Sequence, residues 1–296
     1  MHIVITGATG FLGSALTHKL LSDGHEVSAL VRSRTKCKAL FAGRVQSFTS
    51  WHEAPESADA VINLAGEPLV GARWTSAKKD KIRSSRLTTT QGINAWVSRM
   101  QLRPDVLISG SAVGYYGYSD SEEFSESHEP GSDFGARLCA EWEKTAVEVK
   151  TVGIRVCTVR TGVVLHPSGG ALKRMLPAYR LGFGGPLGNG NQYFSWIHLT
   201  DWVNAVRFLL RSDHLQGAFN LASPNVVQNS VFSSALAKQL NRPNMLRMPA
   251  FVMRALFGEG ADLLLKGQAV QPVKLLEQGF VFEHPELVEA LQDLLP

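Results

Sequence analysis

Short apolar and β-branched runs alternate with amphipathic stretches along the first half of the chain. Leu12, Leu16 and Leu20 recur every four residues and therefore share one helix face. The runs predict strands at residues 3–6, 26–31, 44–48, 60–65, 106–109 and 152–160, and the amphipathic stretches predict helices at residues 12–22, 75–100 and 135–150. Strands that alternate with helices in this way indicate βαβ units and a parallel sheet.

The second half is less regular. A glycine-rich stretch covers residues 182–190, and helices are predicted at residues 200–211, 230–240, 249–257 and 285–295. The composition changes near residues 165–170, so we expect a Rossmann-type doubly wound α/β domain at 1–165 and a smaller α/β substrate lobe at 166–296. The chain is expected to cross between the lobes more than once.

A glycine loop follows the first predicted strand directly and opens the first predicted helix. Its glycines are spaced as Gly-x-x-Gly-x-x-Gly, and such a loop lets a backbone approach a diphosphate at the open amides of a helix N-terminus. The strand–loop–helix–strand context makes this a dinucleotide-binding motif. The residues expected to contact the cofactor here are Gly7, Thr9, Gly10, Phe11, Leu12 and Gly13.

The end of the second strand distinguishes the two nicotinamide dinucleotides. NAD-binding sheets place an acidic residue there to bind the ribose 2′-hydroxyl. This strand ends instead in Arg32, Ser33 and Arg34. Two guanidiniums can hold a 2′-phosphate through charge-assisted hydrogen bonds, whereas a carboxylate would repel it. The sequence therefore predicts NADP rather than NAD.

The composition narrows the class of protein further. The 296 residues carry a formal net charge of +4, which suits an anionic small ligand but is too diffuse to indicate nucleic acid. Three scattered cysteines indicate neither a disulfide framework nor a zinc site. No apolar run is long enough to cross a membrane, and residues 1–5 already read as a strand. We therefore expect a cytoplasmic protein with no membrane partner.

Several further motifs bring a known family to mind. Residues 59–66 read Asp-Ala-Val-Ile-Asn-Leu-Ala-Gly, residues 108–111 Ile-Ser-Gly-Ser, residues 160–164 Arg-Thr-Gly-Val-Val and residues 196–201 Trp-Ile-His-Leu-Thr-Asp. Together with the glycine loop they resemble the extended short-chain dehydrogenase/reductases of the nucleotide-sugar epimerase/dehydratase type, almost end to end. The resemblance adds these expected cofactor contacts: Leu64, Ala65, Gly66, Glu67, Arg86 and Val163.

The same resemblance implies a catalytic Ser/Thr–Tyr–Lys trio, and here the chain departs from the family. In that trio the tyrosine moves the proton, and the lysine lowers its pKa and holds the ribose. Ser111 matches the serine, but the aligned tyrosine and lysine positions hold Phe134 and Leu138. The chain therefore resembles an atypical branch of the family that lacks the Tyr-x-x-x-Lys motif.

Two functions remain open after this comparison. In the first, the protein is an NADP-dependent oxidoreductase or epimerase that acts by hydride transfer on a small carbonyl or sugar-like substrate. Tyr115 or Tyr116, just after Ser111, would then replace the missing phenol. In the second, the protein binds NADPH without turnover, as a sensor or regulator.

Two weaker patterns complete the sequence analysis. His198 and Asp201 could be considered as metal ligands, but two ligands do not make a site, and no metal is predicted. Related proteins often dimerise through two long helices, so residues 75–100 and 135–150 are candidates for a homodimer interface by analogy.

Overall fold

The apolar runs of the first half form the strands of one parallel sheet. The computed structural model describes residues 1–295. In chain order its first-half elements are β1 His2–Thr6, α1 Phe11–Ser22, β2 Glu26–Leu30, α2 Arg34–Phe41, β3 Gln46–Phe48, β4 Ala60–Asn63, α3 Ser76–Val97, β5 Val106–Ala112, β6 Glu123–Phe124, α4 Phe134–Val147 and β7 Arg155–Thr161. The remaining elements are β8 Val163–His166, α5 Gly170–Arg180, β9 Tyr193–Phe194, β10 Trp196–His198, α6 Leu199–Arg211, β11 Gly217–Leu221, β12 Val227–Gln228, α7 Asn229–Gln239, α8 Ala250–Phe257, α9 Asp262–Leu265, β13 Ala269–Val270, α10 Val273–Glu277 and α11 Leu287–Leu294.

The central sheet has seven strands in the order β11-β7-β5-β4-β1-β2-β3, and every neighbouring pair is parallel. The strand order reverses beside β1, which pairs with β2 on one side and β4 on the other. Open α/β sheets bind ligands at the carboxyl ends of the strands beside such a reversal. The fold is the predicted doubly wound Rossmann type.

Helices cover both faces of the sheet, which explains why its strands read as continuous apolar runs. Leu16 and Leu20 of α1 pack with Trp202 and Leu209 of α6 in the core on one face. On the other face, Trp96 and its neighbours in α3 pack against α4. The two layers therefore bury the sheet and leave only its edges and strand ends for function.

The second lobe has a core of its own, but the boundary at residue 165 does not divide the sheet. After that residue, α5, α7 and α11 enclose an apolar cluster that includes Leu172, Phe232 and Leu291. The chain then contributes β11 to the edge of the central sheet, where Phe219 pairs with Val159 of β7. The second half of the chain thus contributes to both lobes.

Four helices lie where the sequence pattern predicted none, namely α2, α5, α9 and α10, and the two longest of them are α2 and α5. α2 is largely polar and buries only Cys37 and Phe41, so its periodicity is too short to recognise. α5 begins at a glycine and contains Pro177, both of which argue against a helix when read from sequence alone. Within residues 1–295, none of the helices combines the length and apolarity that a bilayer span requires.

Candidate functional site

The glycine loop between β1 and α1 is closed so tightly that two of its positions require glycine. Gly7 has a φ of +76°, and a Cβ on it would lie 2.6 Å from the backbone oxygen of Leu64. A Cβ on Gly13 would lie 2.2 Å from the backbone oxygen of Gly7. The first helix follows with Gly10 as an N-cap that offers no side chain, and no acidic residue lies in its first turn. Its first amides are therefore available to an anion.

Phe11 connects this loop to the second lobe. Its ring lies against the turn that precedes α5, where a Cβ on Gly169 would come within 2.1 Å of it. Thr9 is half-buried in the loop, and Leu12 packs against the main core. Val163 begins β8 across the cleft, and its amide donates to the carbonyl of Ser195. The predicted contacts around the loop thus lie on both sides of the groove.

A chain of buried hydrogen bonds holds the segment after β4 against the glycine loop. The hydroxyl of Thr6 donates to Asn63 at 2.6 Å, and the Asn63 amide donates to the hydroxyl of Thr90 at 2.8 Å. The amide of Ala65 donates to the Thr6 hydroxyl at 3.3 Å. Because these groups are buried and paired, the backbone of Leu64 and Ala65 is fixed beside the glycine loop.

Glu67 ends this segment with its carboxylate committed to lysines. It lies 2.8 Å from the ammonium of Lys78 and 3.6 Å from that of Lys81. The hydrogen bond from Lys78 lowers the pKa of Glu67, although burial opposes the shift. A carboxylate that is stabilised in its ionised form is a poor acceptor of a proton from substrate.

Arg86 lies beneath the same segment without an acidic partner. Its Nη1 donates to the carbonyls of Glu67 and Ile82 at 3.1 and 3.0 Å, and its guanidinium lies over the Trp142 ring. A Cβ on Gly66 would lie 3.0 Å from the guanidinium carbon. Burial lowers the pKa of Arg86, and no carboxylate among residues 1–295 lies within ion-pair distance of it. The guanidinium therefore retains donors for a ligand.

Arg32, Ser33 and Arg34, which follow β2 after one intervening residue, have different surroundings. Arg32 is exposed, and Ser33 caps α2 by accepting the amide of Lys36 at 3.2 Å. Arg34 donates to the carboxylate of Glu53 at 2.7 Å. Both members of that pair are about half exposed, so a stronger anion can replace the carboxylate.

At the carboxyl ends of β5 and β7, charged side chains form a buried network. Arg160 binds Glu143 of α4 through two parallel hydrogen bonds of 2.9 Å, and Ser111 donates to the same carboxylate at 2.6 Å. Burial alone would lower the pKa of Arg160, but the Glu143 carboxylate outweighs it and raises that pKa. The hydroxyl proton of Ser111 thus points to Glu143 and away from the cleft.

The two tyrosines after Ser111 differ in how they meet this network. The hydroxyl of Tyr116 accepts from Arg160 at 2.9 Å and donates to Asn220 at 2.6 Å, and burial raises its pKa to about 12. Tyr115 lays its ring face on the Arg160 guanidinium at 3.4 Å and is only half-buried. Burial also raises the pKa of Tyr115. Of the two phenols, Tyr115 is the more exposed and meets this network chiefly through its ring, whereas the hydroxyl of Tyr116 is hydrogen-bonded on both sides.

On α4, the positions that the sequence aligns with the family's tyrosine and lysine lie on the side of the helix that faces Trp74, and Cys139 lies on the side that faces Ser111. Phe134 packs edge-to-face on Trp74, and Leu138 is buried beside Trp74, so both face α3. Cys139 faces Ser111, and Gly135 precedes it by one helical turn. Neither a glycine nor a buried thiol, whose pKa burial raises to about 11, can act as the phenol or the ammonium.

Comparison with known proteins places this site in a family. A family model described as "NAD dependent epimerase/dehydratase family" matches residues 3–222. The chain belongs to the NAD-dependent epimerase/dehydratase family. A second model, a domain of unknown function (DUF1731), matches residues 248–294. The family assignment confirms the resemblance inferred from the motifs.

Three relatives show how far the likeness extends. The chain is 38% identical over 303 residues to an epimerase family protein SDR39U1 homolog, chloroplastic, of Arabidopsis thaliana, with 100% of the chain and 87% of the relative covered. It superimposes on the crystal structure of human epimerase family protein SDR39U1 (isoform 2) with NADPH at a TM-score of 0.92 and 33% identity, covering 99% of each chain. UDP-glucuronic acid 4-epimerase of Bacillus cereus, at 18% identity, a TM-score of 0.79 and coverage of 99% and 98%, shares the fold alone.

Sequence reasoning missed two residues of this epimerase-family site. Arg160 is one of two arginines in β7 and is the buried one, and a charge buried in a strand implies a partner. Glu143 lies four residues after Cys139 on the helix face that meets the sheet. Arg160 could therefore have been recognised as a candidate site residue, although its partner could not be identified without the fold.

The one cluster in residues 1–295 that resembles a metal centre is better explained as a structural contact. It joins His198 to His284 and Asp293, with the Nε2 of His198 3.2 Å from the Asp293 carboxylate. The Nδ1 of His198 accepts the amide of Thr200, so the proton of the neutral ring lies on Nε2. That nitrogen then has a proton to donate to Asp293 and no lone pair for a metal. Burial lowers the pKa of His198 to about 4, which keeps the ring neutral.

Proposed function

We propose that this chain binds NADP(H) in the groove at the carboxyl ends of β1, β2 and β4 and prefers it to NAD(H). The observation that carries the proposal is the glycine loop, in which Gly7 and Gly13 admit no Cβ and the first turn of α1 offers uncapped amides. A diphosphate would lie against those amides. The NADPH in the human neighbour supports the choice of cofactor.

The adenosine half of the cofactor would extend toward the residues after β2. Arg32 and Arg34 would hold the 2′-phosphate, with Ser33 lending its amide or hydroxyl. Arg34 would exchange the Glu53 carboxylate for the phosphate, which carries more charge. No acidic residue replaces these arginines at the end of β2 itself, so the carboxylate that the 2′-phosphate would displace is that of Glu53.

The nicotinamide half would reach the segment after β4 and the cleft beside Ser111. The backbone of Leu64, Ala65 and Gly66 would line its path, with Glu67 at the end of that segment. Arg86, which has no acidic partner among the described residues, would donate to the ribose or carboxamide from below. Val163 and the ring of Phe11 would close the groove on the side that faces the second lobe.

We propose further that the bound cofactor exchanges hydride with a small carbonyl or sugar-like substrate. Tyr115 would then serve as the acid/base, because Tyr116 and Ser111 are bound within the Arg160–Glu143 network. In the reducing direction, hydride passes from NADPH to the carbonyl carbon while the phenol gives its proton to the carbonyl oxygen. The alternative is an NADPH-binding sensor without turnover, favoured by Phe134 and Leu138 at the positions that the sequence aligns with the family's phenol and ammonium.

Cofactor titration tests the binding proposal. Wild-type protein should bind NADPH far more tightly than NADH, and Arg32→Ala with Arg34→Ala should weaken NADPH binding by about a hundredfold while NADH binding stays unchanged. Arg99→Ala, an exposed arginine at the opposite end of the sheet, is the matched control and should change neither. Equal affinity for both cofactors, or no effect of the double substitution, would show the assignment to be wrong.

Turnover tests the choice between enzyme and sensor. A substrate-dependent loss of NADPH absorbance across a panel of small aldehydes, ketones and nucleotide sugars supports the enzyme. Tyr115→Phe should then abolish turnover and leave the NADPH dissociation constant unchanged. Tight NADPH binding with no turnover across the panel supports the sensor instead.

A further inference from the structure

One end of the second lobe carries large apolar side chains in solvent. The segment that follows α5 and the segment that leads into α8 build it together. We call this surface the apolar–basic face, and its members are Leu181, Phe183, Met245, Leu246, Phe251 and Leu256 together with Arg180, Arg242, Arg247 and Arg254.

Backbone hydrogen bonds join these two segments into a single surface. The amide of Leu246 donates to the carbonyl of Gly184, and the amide of Met248 donates to that of Pro186 at 3.0 Å. The Arg242 side chain donates to the carbonyl of Arg180 at 2.8 Å. Their apolar side chains therefore project from one continuous part of the lobe.

The exposure of these side chains is unusual for a monomeric protein. The exposed fractions are 71% for Leu181, 62% for Phe183, 80% for Met245 and 74% for Phe251. Within α8, an almost wholly apolar helix, Met253 alone is buried. Soluble proteins rarely leave clustered large apolar groups in water unless a partner covers them.

The segments of the chain that carry these side chains contain basic residues and no acidic ones. Residues 149–200 and 214–258 contain no aspartate or glutamate, yet they supply every arginine of the face. The acidic residues that follow are paired elsewhere, Glu259 with Lys79 and Asp262 with Lys266. A second copy of the same face would bring like charges together, which disfavours a symmetric dimer here.

We propose that the apolar–basic face docks the protein on an anionic phospholipid surface. Phe183, Met245 and Phe251 would enter the boundary between headgroups and acyl chains, while the arginine side chains reach the phosphates around them. A lipid surface accepts apolar and basic groups side by side without requiring a matching fold, which suits side chains carried on loops and one short helix. The proposal is independent of the cofactor and of turnover.

Vesicle sedimentation tests the proposal with the full chain. The protein should sediment with phosphatidylcholine vesicles that contain phosphatidylglycerol, and much less with phosphatidylcholine alone. Replacing Arg242 and Arg247 by glutamine should weaken partitioning on the order of 20-fold, since each basic group near the surface contributes about fivefold. Phe183→Ser with Phe251→Ser should weaken it by at least tenfold, and added salt should weaken wild-type binding.

Two matched controls separate docking from general effects. Leu102 is 73% exposed in the turn between α3 and β5, so Leu102→Ser removes an equally exposed apolar group elsewhere. Arg99→Gln removes an exposed charge in the same region. Neither should alter sedimentation, and all variants should retain the wild-type thermal unfolding midpoint.

Three results would overturn the proposal. The first is equal partitioning to neutral and anionic vesicles, and the second is full binding by the serine or glutamine variants. The third is loss of vesicle binding for all forms together with arginine-dependent binding to duplex DNA or polyglutamate, which would assign the face to a soluble polyanion instead.

Discussion

The two halves of the cleft differ in how many of their polar groups are already hydrogen-bonded within the protein. On the cofactor half, Gly7 and Gly13 leave no room for a Cβ, the first helix is uncapped, and polar groups such as Arg86 keep donors for a ligand. On the catalytic half, Ser111 and Tyr116 are already hydrogen-bonded to protein partners. The first half therefore has backbone amides and a guanidinium available to a ligand. In the second half, much of the hydrogen-bonding capacity is used between protein groups.

This difference concerns the part of the cleft where the family's catalytic tyrosine and lysine would lie. The family's proton-transferring phenol and its lysine are absent from α4, and the space near Ser111 is organised by the Glu143–Arg160 pair. Of the two phenols beside this network, Tyr115 is the more exposed, and it contacts the Arg160 guanidinium with its ring. The chain therefore combines a glycine loop with room for a ligand and a cleft beside Ser111 that is held by a buried ion pair.

Replacing Arg160 tests whether the two halves of the cleft can be perturbed separately. Arg160→Met leaves Glu143 as a buried charge without its partner, which should lower the free energy of unfolding by about 3–5 kcal/mol. Urea denaturation measures the change. Because Arg160 lies away from the glycine loop, the NADPH dissociation constant of the folded protein should stay within about threefold of wild type.

The matching double substitution separates the charge from the packing. Arg160→Met with Glu143→Met replaces the ion pair by apolar groups and should recover most of the lost stability. The catalytic half would not be held by this pair if the single change cost less than about 1 kcal/mol. A tenfold change in NADPH affinity would show that the two halves are not separate.

Arg86 provides the next test, from the cofactor half. Arg86→Leu removes a buried guanidinium that has no acidic partner in residues 1–295, so the free energy of unfolding should change by less than about 1 kcal/mol. The NADPH dissociation constant should rise about tenfold because the leucine offers no donor. Isothermal titration and urea denaturation of the same samples measure both. Large destabilisation with unchanged affinity would make Arg86 a structural residue.

The sequence predicted one half of the cleft better than the other for a physical reason. Gly7 to Gly13 form a motif within seven residues, so local spacing indicates the loop without knowledge of the fold. The Arg160–Glu143 pair joins a strand to a helix, and nothing in local spacing specifies which acid an arginine meets. The side of α4 that Phe134 and Leu138 face was not predictable for a similar reason, since a motif gives the spacing along a helix but not its rotation about the axis. The helix α2 is short and polar, and in α5 the regular spacing of Leu172, Leu176 and Tyr179 is obscured by the first glycine and the internal proline.

Within the catalytic half, the two tyrosine hydroxyls should contribute different amounts to the free energy of unfolding. Tyr116→Phe removes a buried hydroxyl that bonds Arg160 and Asn220, and should cost about 1–2 kcal/mol of unfolding free energy. Tyr115→Phe keeps the ring on the Arg160 guanidinium and should cost less than about 0.5 kcal/mol. Thermal and urea unfolding of both variants measure the difference. Equal costs would contradict the view that only Tyr116 is built into the network.

The ion pair between Arg34 and Glu53 should have only a small effect on NADPH affinity. The Glu53 carboxylate also accepts the amide and hydroxyl of Thr49, and those bonds, led by the amide, lower its pKa and keep it charged against Arg34. If the 2′-phosphate must displace this carboxylate, Glu53→Gln should tighten NADPH binding by about two- to threefold and leave NADH unchanged. Competitive titration at low salt resolves a change of that size, and added salt should diminish it. Weaker NADPH binding in Glu53→Gln would mean that Glu53 positions Arg34 for the phosphate and does not compete with it.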